Sequence, residues 1–374
     1  MKIILFANTD WYLYNFRRSL ALGAQAAGHN VLLVSPPGPY GQKLIELGLR
    51  WTPAPMDRRS LNPLREAALL RWLFGLVRAE QADIVHGFTI KCVVYGALAA
   101  RLAGLARVNA VAGMGYVFIS DELKARLLRP IVRSLMRLAL GGCRARLVLQ
   151  NEDDVALFIN SGLAAPENIR LIPGSGVDCG RFAPSTGARS RNFTVVLASR
   201  MLWDKGVREF IEAAKALKGE GRVIRFILAG TPDPGNPATI SEQVLDEWHA
   251  SGLVEWLGHC DDMARLFAEA NVVALPSYRE GLPKSLIEAA ACGCALVTSN
   301  VPGCNSVVTD GVDGLIVPVR SSAGLARAIA RLQDDPPLAL RLGEAARAKA
   351  IREYDERIIV ARTIAVYEEL ATSN

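Results

Sequence analysis

Short apolar runs rich in Val, Ile and Leu recur along the whole 374-residue chain, each followed by a stretch with helical spacing. In the first half they cover 3–7, 31–35, 83–87, 108–113 and 147–150. In the second they cover 195–199, 226–230, 254–258, 272–277, 295–300 and 314–317. A strand covered on both faces has no polar side, so it reads as an unbroken apolar run, as in parallel sheets. Repeated βα alternation of this kind predicts an α/β protein with two doubly wound domains. The length also exceeds one ordinary domain. The predicted domains are 1–185 and 186–354, with the Gly, Ser and Arg of 187–192 as linker.

The chain is 51% hydrophobic and 21% charged, enough to bury two sizeable cores. No apolar run approaches the roughly 20 residues of a membrane-spanning helix. Residues 1–7 are too short for a signal peptide and read as the first strand. Seven cysteines without a CxxC pattern point to a reducing, cytoplasmic compartment rather than a disulfide framework. The net charge of +6 is unevenly spread: residues 1–150 hold 20 Lys/Arg against 8 Asp/Glu, and the remainder 23 against 29. A basic half joined to an acidic half is expected to meet different partners.

The segment Ser277-Tyr278-Arg279-Glu280-Gly281-Leu282-Pro283-Lys284-Ser285-Leu286-Ile287-Glu288 follows one of the apolar strands and opens a helix ending at Cys292-Gly293. Two glutamates eight positions apart flank a Gly-Leu-Pro turn. Such a pair is either solvated surface or a receptor for sugar hydroxyls beside a helix N-terminus, which favours anions. In open parallel sheets ligands bind beyond the carboxyl ends of the strands. Arg200 stands at such an end after 195–199, with Lys205 five residues on; Gly230 and Gly258 close two further strands. Cations with a helix N-terminus suit a diphosphate, and carboxylates suit sugars. The combination describes a nucleotide-sugar site.

Arg200, Lys205 and the Glu280–Glu288 spacing resemble the family 4 retaining glycosyltransferases. That resemblance spans essentially the whole chain and implies the GT-B fold, two Rossmann-like domains facing across a cleft. It also implies a C-terminal helix, at about 355–374, that packs back on the first domain. Ser60-Leu61-Asn62-Pro63, Phe88-Thr89-Ile90-Lys91, Gly113-Met114-Gly115-Tyr116-Val117-Phe118 and Leu202-Trp203-Asp204-Lys205-Gly206-Val207 are similar to the members that extend undecaprenyl-diphosphate-linked glycans. The implied donor is a UDP-sugar, an N-acetylhexosamine such as GalNAc, and the implied acceptor a polyprenyl-diphosphate-linked sugar. A non-lipid acceptor and a nucleotide-sugar epimerase are the alternatives.

The resemblance assigns roles residue by residue. Arg200 and Lys205 would neutralise the donor diphosphate, Glu288 would accept from the ribose hydroxyls, and Glu280 would orient the transferred sugar. Gly281, Leu282 and Pro283 would let sugar and β-phosphate approach backbone, and backbone near Gly258 and His259 would read the base. Tyr14, Arg17, His86, Lys91 and Tyr116 are the candidate acceptor contacts. His86 is expected either at the acceptor or in a structural hydrogen bond, and Lys91 at a phosphate or not. The chain departs from many relatives in lacking a Gly-Gly turn after the first strand and a histidine at 111–114.

No Asp-x-Asp pair stands at a strand end, and Asp261-Asp262 reads as a helix cap, so no metal or other cofactor is expected. Arg126, Arg129, Arg133 and Arg137, and Arg58, Arg59, Arg65, Arg71 and Arg78, recur among Leu, Trp and Phe. These basic amphipathic stretches fit either ordinary surface helices or a protein lying on the anionic inner face of the cytoplasmic membrane. Aromatics do not alternate with the basic positions as stacking platforms would, which argues against nucleic acid.

Overall fold

The computed structural model describes residues 1–58, 60, 62–111, 123–185 and 192–372, with backbone alone at 123–129 and 131. Two compact units result: Met1–Ser175 with Glu356–Asn374, and Gly176–Asp355. The chain leaves the first unit ahead of the expected 185/186 boundary because Val177, Cys179 and Phe182 are buried in the core of the second. Val177 N–H also donates to Tyr354 O at 2.9 Å. The expected linker at 187–192 lies, Asn192 apart, outside the described residues.

The first unit holds a seven-stranded parallel sheet of β1 (Lys2–Phe6), β2 (Asn30–Ser35), β3 (Arg50–Pro53), β4 (Ile84–Phe88), β5 (Ala106–Ala110), β6 (Ala145–Leu149) and β7 (Ile169–Leu171). Their order is β3-β2-β1-β4-β5-β6-β7. The second unit holds β8 (Phe193–Ala198), β9 (Ile224–Ala229), β10 (Glu255–Trp256), β11 (Val272–Leu275), β12 (Ala295–Ser299) and β13 (Leu315–Val317), ordered β10-β9-β8-β11-β12-β13. Both orders reverse direction beside the first strand of the unit, the topology of a doubly wound sheet. Helices bury an apolar stripe on each face; in Pro63–Ala79 the stripe is Leu69, Leu73 and Val77, at i, i+4 and i+8.

Two strands carry no apolar run in the sequence. β3 is an edge strand with polar and proline residues and no fully buried side chain, and β7 is three residues long and half exposed. β5 starts at Ala106, earlier than expected, because its charged Arg107 is buried. That guanidinium donates to Ala139 O at 2.9 Å and to Gly141 O, closing the C-terminus of the helix Leu123–Leu140. Burial lowers its pKa to about 10, which leaves it charged at neutral pH.

The terminal helix Glu356–Thr372 buries Ile359, Val366, Tyr367 and Leu370 in the first unit. Glu369 meets Arg146 at 2.7 Å and Arg170 at 2.5 Å, and hydrogen bonds from Arg170 and then Arg146 hold its carboxyl below the ordinary glutamate range. Tyr367 Oη lies 2.6 Å from His86 Nδ1 in the middle of β4. His86 is therefore engaged with the helix, and burial keeps its pKa well below the ordinary histidine value, with the charge of Arg17 adding to the effect. Tyr367→Phe should strip a buried polar atom of its partner and lower stability by about 1–3 kcal/mol in urea unfolding. Unchanged stability would show the bond to be dispensable.

Candidate active site

The second unit's site follows from strand order. β8 pairs with β11 through Val195 and Val272, so the loops leaving their carboxyl ends are neighbours. One carries Lys205, at the end of the turn Trp203–Lys205; the other carries Glu280. The two loops are laced by backbone: Tyr278 N–H donates to Asp204 O at 2.8 Å, and Ser277 Oγ to the same oxygen at 3.1 Å. Gly206 lets them close, since at φ 73 a Cβ there would stand 2.1 Å from Pro276 O. Lys205 Nζ and Glu280 Oε1 meet at 2.6 Å, with side chains only 14% and 13% exposed.

A third loop, after β12, supports the same spot. Glu280 N–H donates to Pro302 O at 3.3 Å. At Gly303, φ 80, a Cβ would meet the carbonyl oxygens of Glu280 and Gly281 at 2.6 Å. Tyr278 Oη donates to the buried Glu209 at 2.8 Å, and the Arg320 guanidinium lies 4.7 Å from the Tyr278 ring. Gly303, Glu209 and Arg320 were not singled out in the sequence. Only the Pro302-Gly303 turn at a strand end carried a signal there.

Arg200 sits at the end of β8, but it points to Asp233, 2.5 Å away, and is 58% exposed. An exposed pair of this kind is worth at most about 1 kcal/mol, so the guanidinium is easily released to another anion. Beyond β9 and β10, Gly230 N–H donates to Gly258 O at 2.7 Å. His259 makes an exposed pair with Asp261 at 3.2 Å. Leu282 packs on the second unit's core, and Pro283 precedes the helix Lys284–Ala291, which has no side-chain N-cap.

Glu288 lies one turn into that helix, 3.6 Å from Lys284 Nζ. Burial pushes its carboxyl above the ordinary glutamate value, with Lys284 and Arg181 pulling back only in part. The folded state thus binds this proton more tightly than the unfolded chain does. This group's contribution is full below the ordinary glutamate pKa and is lost as pH rises through the folded value. Glu288→Gln should flatten the fall in melting temperature that calorimetry records as pH rises above the ordinary glutamate range. A tenfold difference in proton affinity between the folded and unfolded chain corresponds to about 1.4 kcal/mol. An unaltered pH profile would contradict the assignment.

In the first unit, Lys91 is engaged within the protein. It donates to Asp57 O at 2.7 Å, Ser60 O at 3.0 Å and Glu66 Oε1 at 2.7 Å, beside a cavity of about 430 Å³ lined by Met56, Leu69 and Ala54. Tyr14 lies 5.3 Å from Tyr40, with the Arg18 guanidinium 5.1 Å from its ring. Arg17 is buried. Tyr116 lies outside the described residues.

Two family models match the chain: a glycosyl transferase 4-like domain over 15–174 and glycosyl transferases group 1 over 181–349. The N,N'-diacetylbacillosaminyl-diphospho-undecaprenol alpha-1,3-N-acetylgalactosaminyltransferase of Campylobacter jejuni is 30% identical over 99% of both chains. The chain belongs to this glycosyltransferase family. The glycosyltransferase is also 27% identical, over 75% of its length and 74% of the relative's, to the UDP-Gal:alpha-D-GlcNAc-diphosphoundecaprenol alpha-1,3-galactosyltransferase of Escherichia coli. Its fold is that of HepE from Anabaena, solved with UDP, at a TM-score of 0.80 and 21% identity over 99% and 100% of the two chains. A glycosyltransferase of Rickettsia africae matches at 0.79 and 16% identity over 100% and 99%. The GT-B expectation agrees with these structures.

Proposed function

We propose that this glycosyltransferase moves a sugar, an N-acetylhexosamine such as GalNAc, from its UDP derivative to a polyprenyl-diphosphate-linked saccharide, with retention at the anomeric carbon. The observation that carries the reading is the largely buried Lys205–Glu280 pair at the ends of adjacent strands. A cation and a carboxylate held against each other are the two groups that a sugar diphosphate separates. Lys205 turns to the diphosphate and Glu280 to a hydroxyl of the transferred sugar, while Arg200 leaves Asp233 for the same phosphates. Glu288 takes the ribose hydroxyls. The relatives' names supply the acceptor class, since both act on sugars carried by diphospho-undecaprenol.

In the mechanism we favour, the acceptor hydroxyl approaches the face of the anomeric carbon from which UDP departs. The C–O bond to UDP breaks, the glycosidic bond forms, and the hydroxyl proton passes to the leaving diphosphate. The protein contributes orientation and a fixed positive field. Lys205 and Arg200 neutralise the leaving group, so no metal is required; Asp262 accepts from Arg265 N–H at 3.1 Å as a helix cap.

No helix among the described residues is long and apolar enough to cross a membrane. A lipid-linked acceptor would bring the enzyme to the cytoplasmic membrane surface. The helix Pro63–Ala79 suits that contact, with Leu64, Arg65, Arg71 and Arg78 exposed. Arg133 and Arg137 are less available, being tied to the carbonyls of Ser161 and Gly162.

A panel of UDP-sugars, with and without a polyprenyl-diphosphate-linked sugar and with EDTA throughout, tests the reading by product mass. Acceptor-dependent transfer in EDTA is expected. Transfer to water-soluble saccharides alone, or an isomerised UDP-sugar formed without acceptor, would replace it with the non-lipid or epimerase alternative.

A further inference from the structure

Arg17 ends the single turn Leu13–Arg17 that leads from the β1 loop into the helix Arg18–Ala26. The residue is 6% exposed. The guanidinium lies over the Phe88 ring, 4.2 Å from the centroid, and its Nη2 donates to Tyr12 Oη at 2.9 Å. Nε has no hydrogen-bond partner, and among the described residues no carboxylate pairs with the group. Asp10, the nearest acid in sequence, already accepts from the N–H groups of Trp11, Tyr40 and Gly41 at 2.8, 2.6 and 3.0 Å. A buried guanidinium without a counter-charge is strongly disfavoured, and a buried donor without a partner adds to that cost.

The surroundings suit an anion. Phe88 ends β4, which pairs with β1 in the register Phe6 to Gly87. The chain then turns at Thr89, a β-branched residue at φ 71, and the helix Ile90–Leu102 begins without a side-chain cap. A planar guanidinium stacked on an aromatic ring, beside an uncapped helix start, offers the forked and backbone donors that phosphates accept. His86 packs 4.1 Å from Phe88, and burial, with the charge of Arg17 adding to it, keeps its pKa well below the ordinary histidine value.

We propose that Arg17 is the counter-cation for the diphosphate of the lipid-linked acceptor. The inference rests on the proposed reaction, which involves two diphosphates. Lys205 and Arg200, both in the second unit, meet the donor's. The acceptor's needs a cation of its own, and Arg17 is a buried guanidinium of the first unit that has, among the described residues, no partner charge or carbonyl.

The test compares one acceptor sugar on two carriers, a polyprenyl diphosphate and an uncharged alkyl chain of equal length, in wild type, Arg17→Gln and Arg17→Lys. UDP affinity is measured separately by calorimetry. Wild type should prefer the diphosphate carrier. Arg17→Gln should lose roughly 10- to 150-fold in kcat/KM on that carrier alone, the range for a charged hydrogen bond, with UDP affinity unchanged. Arg17→Lys, which keeps the charge and most of the packing, should lose less and on the same carrier only. Equal losses on both carriers in either variant would make Arg17 a merely structural residue and overturn the proposal. Weakened UDP binding would assign its anion to the donor and overturn it as well. Failure of wild type on the diphosphate carrier would instead remove the proposed reaction, and this inference with it.

Discussion

Lys205→Ala is expected to lower turnover by roughly 30- to 900-fold, the equivalent of about 2–4 kcal/mol of barrier. The loss has two sources. In the proposed reaction a cation is removed from the position where negative charge grows on the leaving UDP, and Glu280, only 13% exposed, is left without its 2.6 Å partner. Arg200→Ala is expected to fall in the same range. It should leave the resting protein untouched, because the pair it breaks with Asp233 is exposed and weak. Steady-state turnover at saturating UDP-sugar, with melting temperature as control, checks both. Near-normal turnover after both substitutions would remove Lys205 and Arg200 from the reaction.

Gly206→Ala is expected to act on the scaffold rather than the charge. Its φ of 73 and the 2.1 Å approach of a Cβ to Pro276 O leave no room for a side chain without moving backbone. The left-handed conformation and the overlap together cost about 2–4 kcal/mol. Since the loops of Lys205 and Glu280 meet at this contact, stability and activity should fall together. Lys205→Ala leaves that loop contact in place and costs stability only by stranding the largely buried Glu280, so adding Glu280→Gln should restore unfolding but not activity. Thermal unfolding of these variants side by side separates the effects, and a wild-type melting temperature for Gly206→Ala would contradict the close approach.

The central strands were legible because each is buried on both faces and therefore apolar throughout, as in β4 and β8. Edge strands β3 and β7 do not meet that condition and leave no such trace. In the site, Lys205 and Glu280 could each be placed at a strand end from the sequence. Their contact could not: 75 residues separate them, and only the β8–β11 pairing makes their loops neighbours. Lys91 has a contact of the same kind: Glu66, 25 residues earlier in the helix Pro63–Ala79, pairs with it, and a single sequence has no signal for that ion pair. Gly303 was hidden for a similar reason, since its constraint comes from the approach of Glu280 and Gly281 rather than from its own neighbours.

The most direct measurement is the anomeric configuration of the product. Wild-type enzyme is supplied with an α-linked UDP-N-acetylhexosamine and a polyprenyl-diphosphate-linked sugar, and the new linkage is read from its proton coupling constant by NMR. An α-linked sugar on the lipid-linked acceptor is expected, with one UDP released for each bond formed and none in the Lys205→Ala, Arg200→Ala double variant over the same time. A β-linked product, or transfer that survives the loss of both cations, would contradict the proposed reaction.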